Sequence, residues 1–419
     1  MMTKRIAYIR GLCACIWMFF FLPALHGQEG PRIRAFEVVG LTRTKLSVIE
    51  PYYMPFIGSL YAGFSADRLI QDLRKLEIFN SEIQVFPREL ENGDVNVVIV
   101  LEEKWTLLSI PFASATSSGT LYGGIALFET NFLGYNKKIY AIGVLSTRGW
   151  RGIFGYTDPS LFGSDFEYFG IFSGGVNERS FVDERENEWQ NFETTNINAR
   201  SGIAWNVTET VKLGAGAGFL SSDVNKDFKS AFPAPASARM ALGALSFQYE
   251  DLYYDNVLVY GLALRAQYEQ YFPLSADSLS YCQYEGSLNY QVQVFGEHRA
   301  GFSAMGMYIP GAPLIMEQDV GERILKTLPG DFVADSAAAA RVSFEYLISS
   351  FSWGALTAQA VYEAGVFSLD DGSPSYSHGP GGGLRVYLAK IAVPAFGLDI
   401  YYNVRTGKSN ASMYMGLSF

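Results

Sequence analysis

The last ten residues of the chain, Asn410 to Phe419, read N-A-S-M-Y-M-G-L-S-F and constrain the fold more than any other stretch. Met413, Met415, Leu417 and Phe419 fall on one side of a period-two strand, and Tyr414, Gly416 and Ser418 on the other. An apolar face, a small or polar face and a terminal aromatic suit the closing strand of a transmembrane barrel. They also suit a half-buried strand of a soluble sheet, so the rest of the chain has to decide.

Glycine (42), tyrosine (26) and phenylalanine (31) are plentiful among the 419 residues, and only 18% of residues are charged. No stretch after the first 27 residues is apolar for long enough to be a spanning helix, so this composition points to β structure. The N-terminus reads as a secretory signal, residues 1–27. Lys4, Arg5 and Arg10 precede the short apolar core Leu12 to Leu25, and Gly27 offers a small residue for cleavage before Gln28. An uncleaved anchor helix is the alternative. The run Leu12-Cys13-Ala14-Cys15 is not a lipoprotein site, because the apolar core continues past Cys15. Cleavage leaves Cys282 as the one cysteine, which excludes an internal disulfide. It also removes three positive charges and takes the formal charge from −10 to −13, which argues against nucleic acid as a partner.

Residues 32–104 carry their own pattern. Ile33 to Val39 reads as a strand ended by Gly40, and Thr44 to Tyr52 as a short helix. Ser65 is a candidate N-cap for a second helix bearing Leu69, Ile70, Leu73 and Leu76 at helical spacing. Ile83 to Phe86 and Val95 to Leu101 then read as strands joined by a turn at Glu91 to Asp94, giving an α+β order of β-α-α-β-β.

From residue 105 to 419 the chain divides into about sixteen strand-like segments, among them 106–116, 164–177, 191–206, 210–221, 240–252 and 410–419. Leu258, Tyr260, Leu262 and Leu264 alternate clearly. So do Ile400, Tyr402 and Val404 against Asp399 and Asn403. The odd-numbered connections include five substantial loops, at 178–190, 222–239, 272–278, 309–337 and 367–379, whereas the even ones are all short. A transmembrane antiparallel barrel has this asymmetry, with short turns inside and long loops outside. An even strand count also puts both ends of the barrel on the periplasmic side.

Two groups of motifs carry a family resemblance. F-E-V-V-G-L-T-R-T from Phe36, L-R-K-L-E-I-F-N from Leu73 and V-V-I-V-L-E-E-K from Val97 make residues 32–104 resemble a POTRA domain. The resemblance implies a periplasmic location and a site for strand addition at the sheet edge, around Ile83, Gln84, Val85 and Phe86. F-E-T-N-F-L-G-Y-N (Phe128 to Asn136), G-Y-T-D-P-S-L-F-G (Gly155 to Gly163) and the end of the chain from Gly381 resemble the BamA/TamA outer-membrane assembly superfamily. In that family the sixth loop folds into the barrel, where the arginine of a Val-Arg-Gly-Phe/Tyr motif meets an acid on the wall. Here the loop reads I-L-K-T-L-P-G, so Lys326 stands at the arginine, with Arg323 as substitute. V-Y-E-A-G places Glu363 at the acid, with Glu345 a second candidate. Lysine lacks the planar fork of arginine, so a bidentate lock is lost.

No G-x-S-x-G or H-E-x-x-H occurs, and His298 and His378 are isolated. The acidic run Asp183 to Glu188 lacks the oxygen spacing of a calcium site and reads as a solvated loop. The expectation is a non-enzymatic outer-membrane insertase or translocase without cofactor or metal. Its partners would be the lipid bilayer, unfolded outer-membrane or secreted client proteins, and periplasmic chaperones or accessory lipoproteins. Clients would add a strand to the POTRA edge or to a barrel seam at Ser109, Phe112, Met415 and Phe419. A two-partner-type secretion pore and a passive porin or structural barrel are the alternatives.

Overall fold

The computed structural model describes residues 30–415, apart from 77, 81, 116–119, 231–234, 256–257, 276–278, 297, 322, 353, 370–371 and 389–395. The signal segment, Leu417 and Phe419 lie outside the described residues. No described helix is long and apolar enough to cross a membrane, which says nothing about crossing by strands.

The chain forms two compact units. The first holds a three-stranded sheet in the order β1 (Ile33–Val39), β3 (Val95–Val100), β2 (Gln84–Glu89). β3 is central, parallel to β1 and antiparallel to β2. Its V-N-V-V-I-V run is buried because both flanks are paired. Helix α2 (Ala66–Arg74) starts at Ser65, whose Oγ accepts from Arg68 N at 3.2 Å. It buries Leu69 and Leu73, one turn apart. The expected first helix is much shorter. Leu46–Val48 is a single 3-10 turn and only Glu50–Tyr53 (α1) is α-helical. Pro51 accounts for this, since proline fits the first turn of a helix and breaks an interior. β2 starts one residue later than expected and runs on through Pro87, which an edge strand tolerates where the missing N–H faces solvent.

The unit boundaries cut across the sequence: 42–48 and 76–81 cluster with residues 103–419. The Glu103 carboxylate accepts from the backbone N–H groups of Thr42, Arg43 and Thr44 and from Thr42 Oγ1. Burial pushes its pKa up, but the hydrogen bonds from Thr42, Thr44 and Arg43 outweigh that and lower it to about 2. Arg43 reaches Glu129 at 3.0 Å, and Asn131 donates to Thr44 Oγ1 at 2.8 Å. Thr42 to Thr44 is thus seated on the Glu129 to Gly134 segment of the same unit. Gly134 is required there: its φ is +79°, and a Cβ would stand 2.1 Å from the Arg43 carbonyl oxygen.

The second unit is one sheet of sixteen strands, each antiparallel to the next in sequence. They are β4 (Leu107–Ala115), β5 (Leu121–Phe132), β6 (Lys137–Ser146), β7 (Gly149–Asp158), β8 (Phe166–Val182), β9 (Glu188–Asn206), β10 (Val211–Ser230) and β11 (Ala238–Asp255). β12 (Leu258–Pro273), β13 (Tyr281–Val294), β14 (His298–Tyr308), β15 (Ser336–Phe351), β16 (Gly354–Ser368), β17 (Pro374–Leu388), β18 (Phe396–Asn403) and β19 (Lys408–Met415) follow. The sheet is not closed: among the described residues no pairing joins β4 to β19. Its two faces are inverted relative to a soluble barrel. Leu121, Ile125, Phe154, Phe172, Leu245, Val342, Leu398 and Met413 are exposed on the outward face, whereas Glu269, Arg299, Glu345, Glu363 and Asp399 are buried on the inward face. Tyr268, Tyr284 and Tyr308 adjoin on neighbouring strands near the ends that lead into the longer loops, as in an aromatic girdle.

Three of the five expected long loops are much shorter, and 272–278 moves to 274–280 without shortening. β8 and β9 continue to a turn at 183–187, and β10 extends to Ser230. Beyond the apolar belt the alternation fades while backbone pairing continues. Only the connection 309–335 remains long and irregular.

Candidate functional site

Loop 309–335 folds back against the inward face of the sheet. Ile309, Ile315, Met316, Val320, Ile324, Leu325, Leu328 and Phe332 are all buried, in one cluster with Phe181, Phe192, Met240, Tyr271, Tyr281, Met307 and Phe367 of the wall. The apolar residues of this loop therefore share a core with the wall on the inward face, which a solvated loop would not need. Phe332 meets Phe367 edge-on with ring centres 5.0 Å apart. Arg179 donates to the carbonyls of Ile315 and Glu317 at 2.8 and 3.1 Å, and Arg148 pairs with Asp331 at 3.0 Å.

The tip of the loop sits on Glu363 in β16, a fully buried acid. Its carboxylate accepts from Lys326 N at 3.1 Å, Thr327 N at 2.8 Å and Thr327 Oγ1 at 2.8 Å. Gly365, two residues on, leaves room for the loop. A Cβ there would stand 2.4 Å from Leu325 Cδ2 and from the Ala338 carbonyl oxygen. Asn403 Nδ2 donates to the Thr327 carbonyl at 3.1 Å and to Ser377 Oγ at 3.0 Å.

The cations are arranged differently from the sequence expectation. Glu363 takes its guanidinium from Arg341, at 2.6 Å, and not from the Lys326 side chain. Arg341 lies directly opposite Glu363 in the β15–β16 register and also donates to the Ile324 carbonyl. Lys326 Nζ lies 3.5 Å from Asp399 of β18, and Arg385 lies at the same distance from that acid. Arg323 pairs with Glu285 and donates to Gln318. Glu345 receives Arg299, Arg385, Thr357 and Tyr387 within the wall. The acidic residue was placed by its motif. Arg341, Asp399 and Asn403 were missed as partners, although the alternation of Asp399 and Asn403 with Ile400 and Tyr402 marks them as inward-facing.

The remaining candidates are dispersed. Ile83 is buried just before β2, Val85 packs on the Ile33, Val95 and Val97 cluster, and Gln84 and Phe86 are exposed. Ser109 faces outward on β4, and Phe112 faces inward over Gly124. Met415 pairs with Phe396, its side chain lying outside the described residues, as does all of Phe419. The acidic run is not simply solvated. Asp183 folds it by accepting from the N–H groups of Arg185 and Asn187, while Glu184 pairs with Arg405 at 2.7 Å and Glu186 with Lys408 at 3.3 Å.

No protein-family model and no curated protein matches the chain. Solved structures do. The chain matches BamA from Haemophilus ducreyi lacking POTRA domains 1–3 with a TM-score of 0.59 at 12% identity, over 92% of this chain and 83% of that one. CdiB from Escherichia coli matches with a TM-score of 0.65 at 14% identity, over 92% and 75% of the two chains. CdiB from Acinetobacter baumannii gives 0.61 at 14%, over 92% and 74%. The fold is therefore that of a BamA- and CdiB-type barrel.

Proposed function

We propose that the chain is an outer-membrane assembly or translocation factor that handles unfolded polypeptide by strand addition, without covalent chemistry and without cofactor. The observation that carries this reading is the inward loop, whose backbone is gripped by a buried wall acid inside a sheet with an apolar outer face. The outward apolar belt is too extensive for water and fits a bilayer. The three-stranded unit fits the periplasmic role of a POTRA domain, with unfolded outer-membrane or secreted proteins, chaperones or accessory lipoproteins as partners.

Two templates for a client strand are available on this reading. One is the free edge of β2. The other is the pair of unpaired sheet ends, β4 and β19, where Pro111 deprives β4 of one donor. Depletion of the protein followed by profiling of the outer-membrane proteome tests the reading. The expected result is loss of several other barrel proteins; an unchanged outer-membrane proteome would remove the assembly role. A secretion pore for a dedicated partner is the second reading. It is favoured by a cavity of about 530 Å³ beside the loop, lined by polar residues such as Arg148, Asn177 and Arg179 and by apolar ones such as Trp150, Leu220 and Ile315. Loss of one exported protein alone on depletion would select it.

A further inference from the structure

A second cavity, of about 350 Å³, lies beside the loop tip and is bounded by β12 to β18. Five cations line it: Arg265, Arg323, Lys326, Arg341 and Arg385. No carboxylate is among its described lining residues. Each of the five has an acid partner, but in every pair the cation is the more exposed member. The side-chain exposures are 24% against 1% for Lys326 and Asp399, and 14% against 0% for Arg341 and Glu363. For Arg385 and Glu345 they are 10% against 3%, for Arg323 and Glu285 36% against 22%, and for Arg265 and Glu250 53% against 31%. The acids form a rear layer within the wall, and the cations form the surface that the cavity sees.

We propose that this cavity is a binding site for a small phosphate-bearing anion. Guanidinium groups match the oxygens of a phosphate in pairs, and four of the five cations are arginines. Ser287, Asn289 and Gln359 add neutral donors. The volume is roughly ten times the share of one water in the liquid, enough for a pyrophosphate with a few waters. The cavity is part of no strand-addition surface, so the site is independent of client handling. The phosphate group has two possible sources, a free anion or a lipid headgroup.

The full chain in detergent micelles, titrated calorimetrically with inorganic pyrophosphate at fixed chloride ionic strength, should show one saturable site. Arg323→Gln should weaken it on the order of tenfold, as expected for loss of a charge-assisted hydrogen bond. Ser287→Trp keeps every charge but fills the cavity, and should abolish binding. Arg239→Gln, which removes a rim cation that does not line the cavity, should leave affinity unchanged. Heat-modifiable gel migration checks that each variant folds, and Arg265→Gln replaces Arg323→Gln if the latter does not. Binding of dihexanoyl phosphatidic acid in place of pyrophosphate would support the site with a lipid headgroup as its ligand. Absence of saturation with both probes, equal weakening by Arg239→Gln and Arg323→Gln, or unaltered binding by Ser287→Trp would overturn the proposal.

Discussion

Two sets of ion pairs hold loops over the lumen, and they differ in depth. At the tip of the long loop, Glu363 is fully buried and shares its carboxylate between Arg341 and the backbone of Lys326 and Thr327. At the rim, Glu184 with Arg405 and Glu186 with Lys408 join the 183–187 turn to the last hairpin, with all four side chains partly exposed. The chemistry of the two sets is nearly the same. The difference is in what remains when one member is removed. In the buried set a charge is stranded away from water, whereas at the rim water takes the place of the missing partner.

The largest effect is expected from Glu363→Gln. It leaves Arg341 unpaired and weakens three hydrogen bonds to the loop, which should cost about 3–5 kcal/mol in urea unfolding. A charge swap between Lys326 and Glu363 should not rescue it, because the lysine side chain is not the partner. Replacing the true pair together, Arg341→Met with Glu363→Leu, should recover only the part due to the stranded charge, since Lys326 N and Thr327 N still lose their acceptor. A cost below about 1 kcal/mol for Glu363→Gln would mean that the two sets do not differ.

Lys326→Met should fall between the extremes, at about 1 kcal/mol, because Asp399 keeps Arg385. Glu184→Gln at the rim should cost about 0–1 kcal/mol, and that small effect should shrink further as salt is raised from 0.1 to about 1 M. A rim effect that resists salt would place the clasp with the buried set.

Glu103 supplies a test in a third kind of environment, a carboxylate held by backbone and hydroxyl donors. Its folded pKa is lowered to about 2 from 4.5. Its contribution is therefore present above about pH 4.5 and is lost as the pH falls through about 2. Glu103→Gln should lower stability near neutrality, where the contribution is fully present, and flatten the acid limb of the stability curve in that window. An acid limb identical to that of the wild type would show that this carboxylate is held no more tightly folded than unfolded.

The sequence was informative where one physical rule dominated. Period-two alternation was clear in several strands, and with the turn positions it divided the chain into about sixteen segments, the number the sheet contains. It lost the ends of β8 to β11, where polar and apolar residues stop alternating although the backbone stays paired. V-Y-E-A-G singled out Glu363, which receives the loop tip through backbone N–H groups and not through the side chain of Lys326 or Arg323. Its guanidinium partner was not legible, because Arg341 meets Glu363 only through the register between two strands, 22 residues apart in the chain. The length of the first helix was misread because its upstream residues favour a helix while Pro51 forbids one through that point.

The grip of Glu363 on main-chain N–H groups has a consequence for how such loops vary. Every residue except proline offers the same N–H, so the side chain at position 326 is free to drift without releasing the loop. What must persist is a wall acid, a guanidinium beside it and a glycine two residues on to admit the turn. A search keyed to an arginine in the loop would pass over chains built this way, whereas a search keyed to the facing strands would retain them.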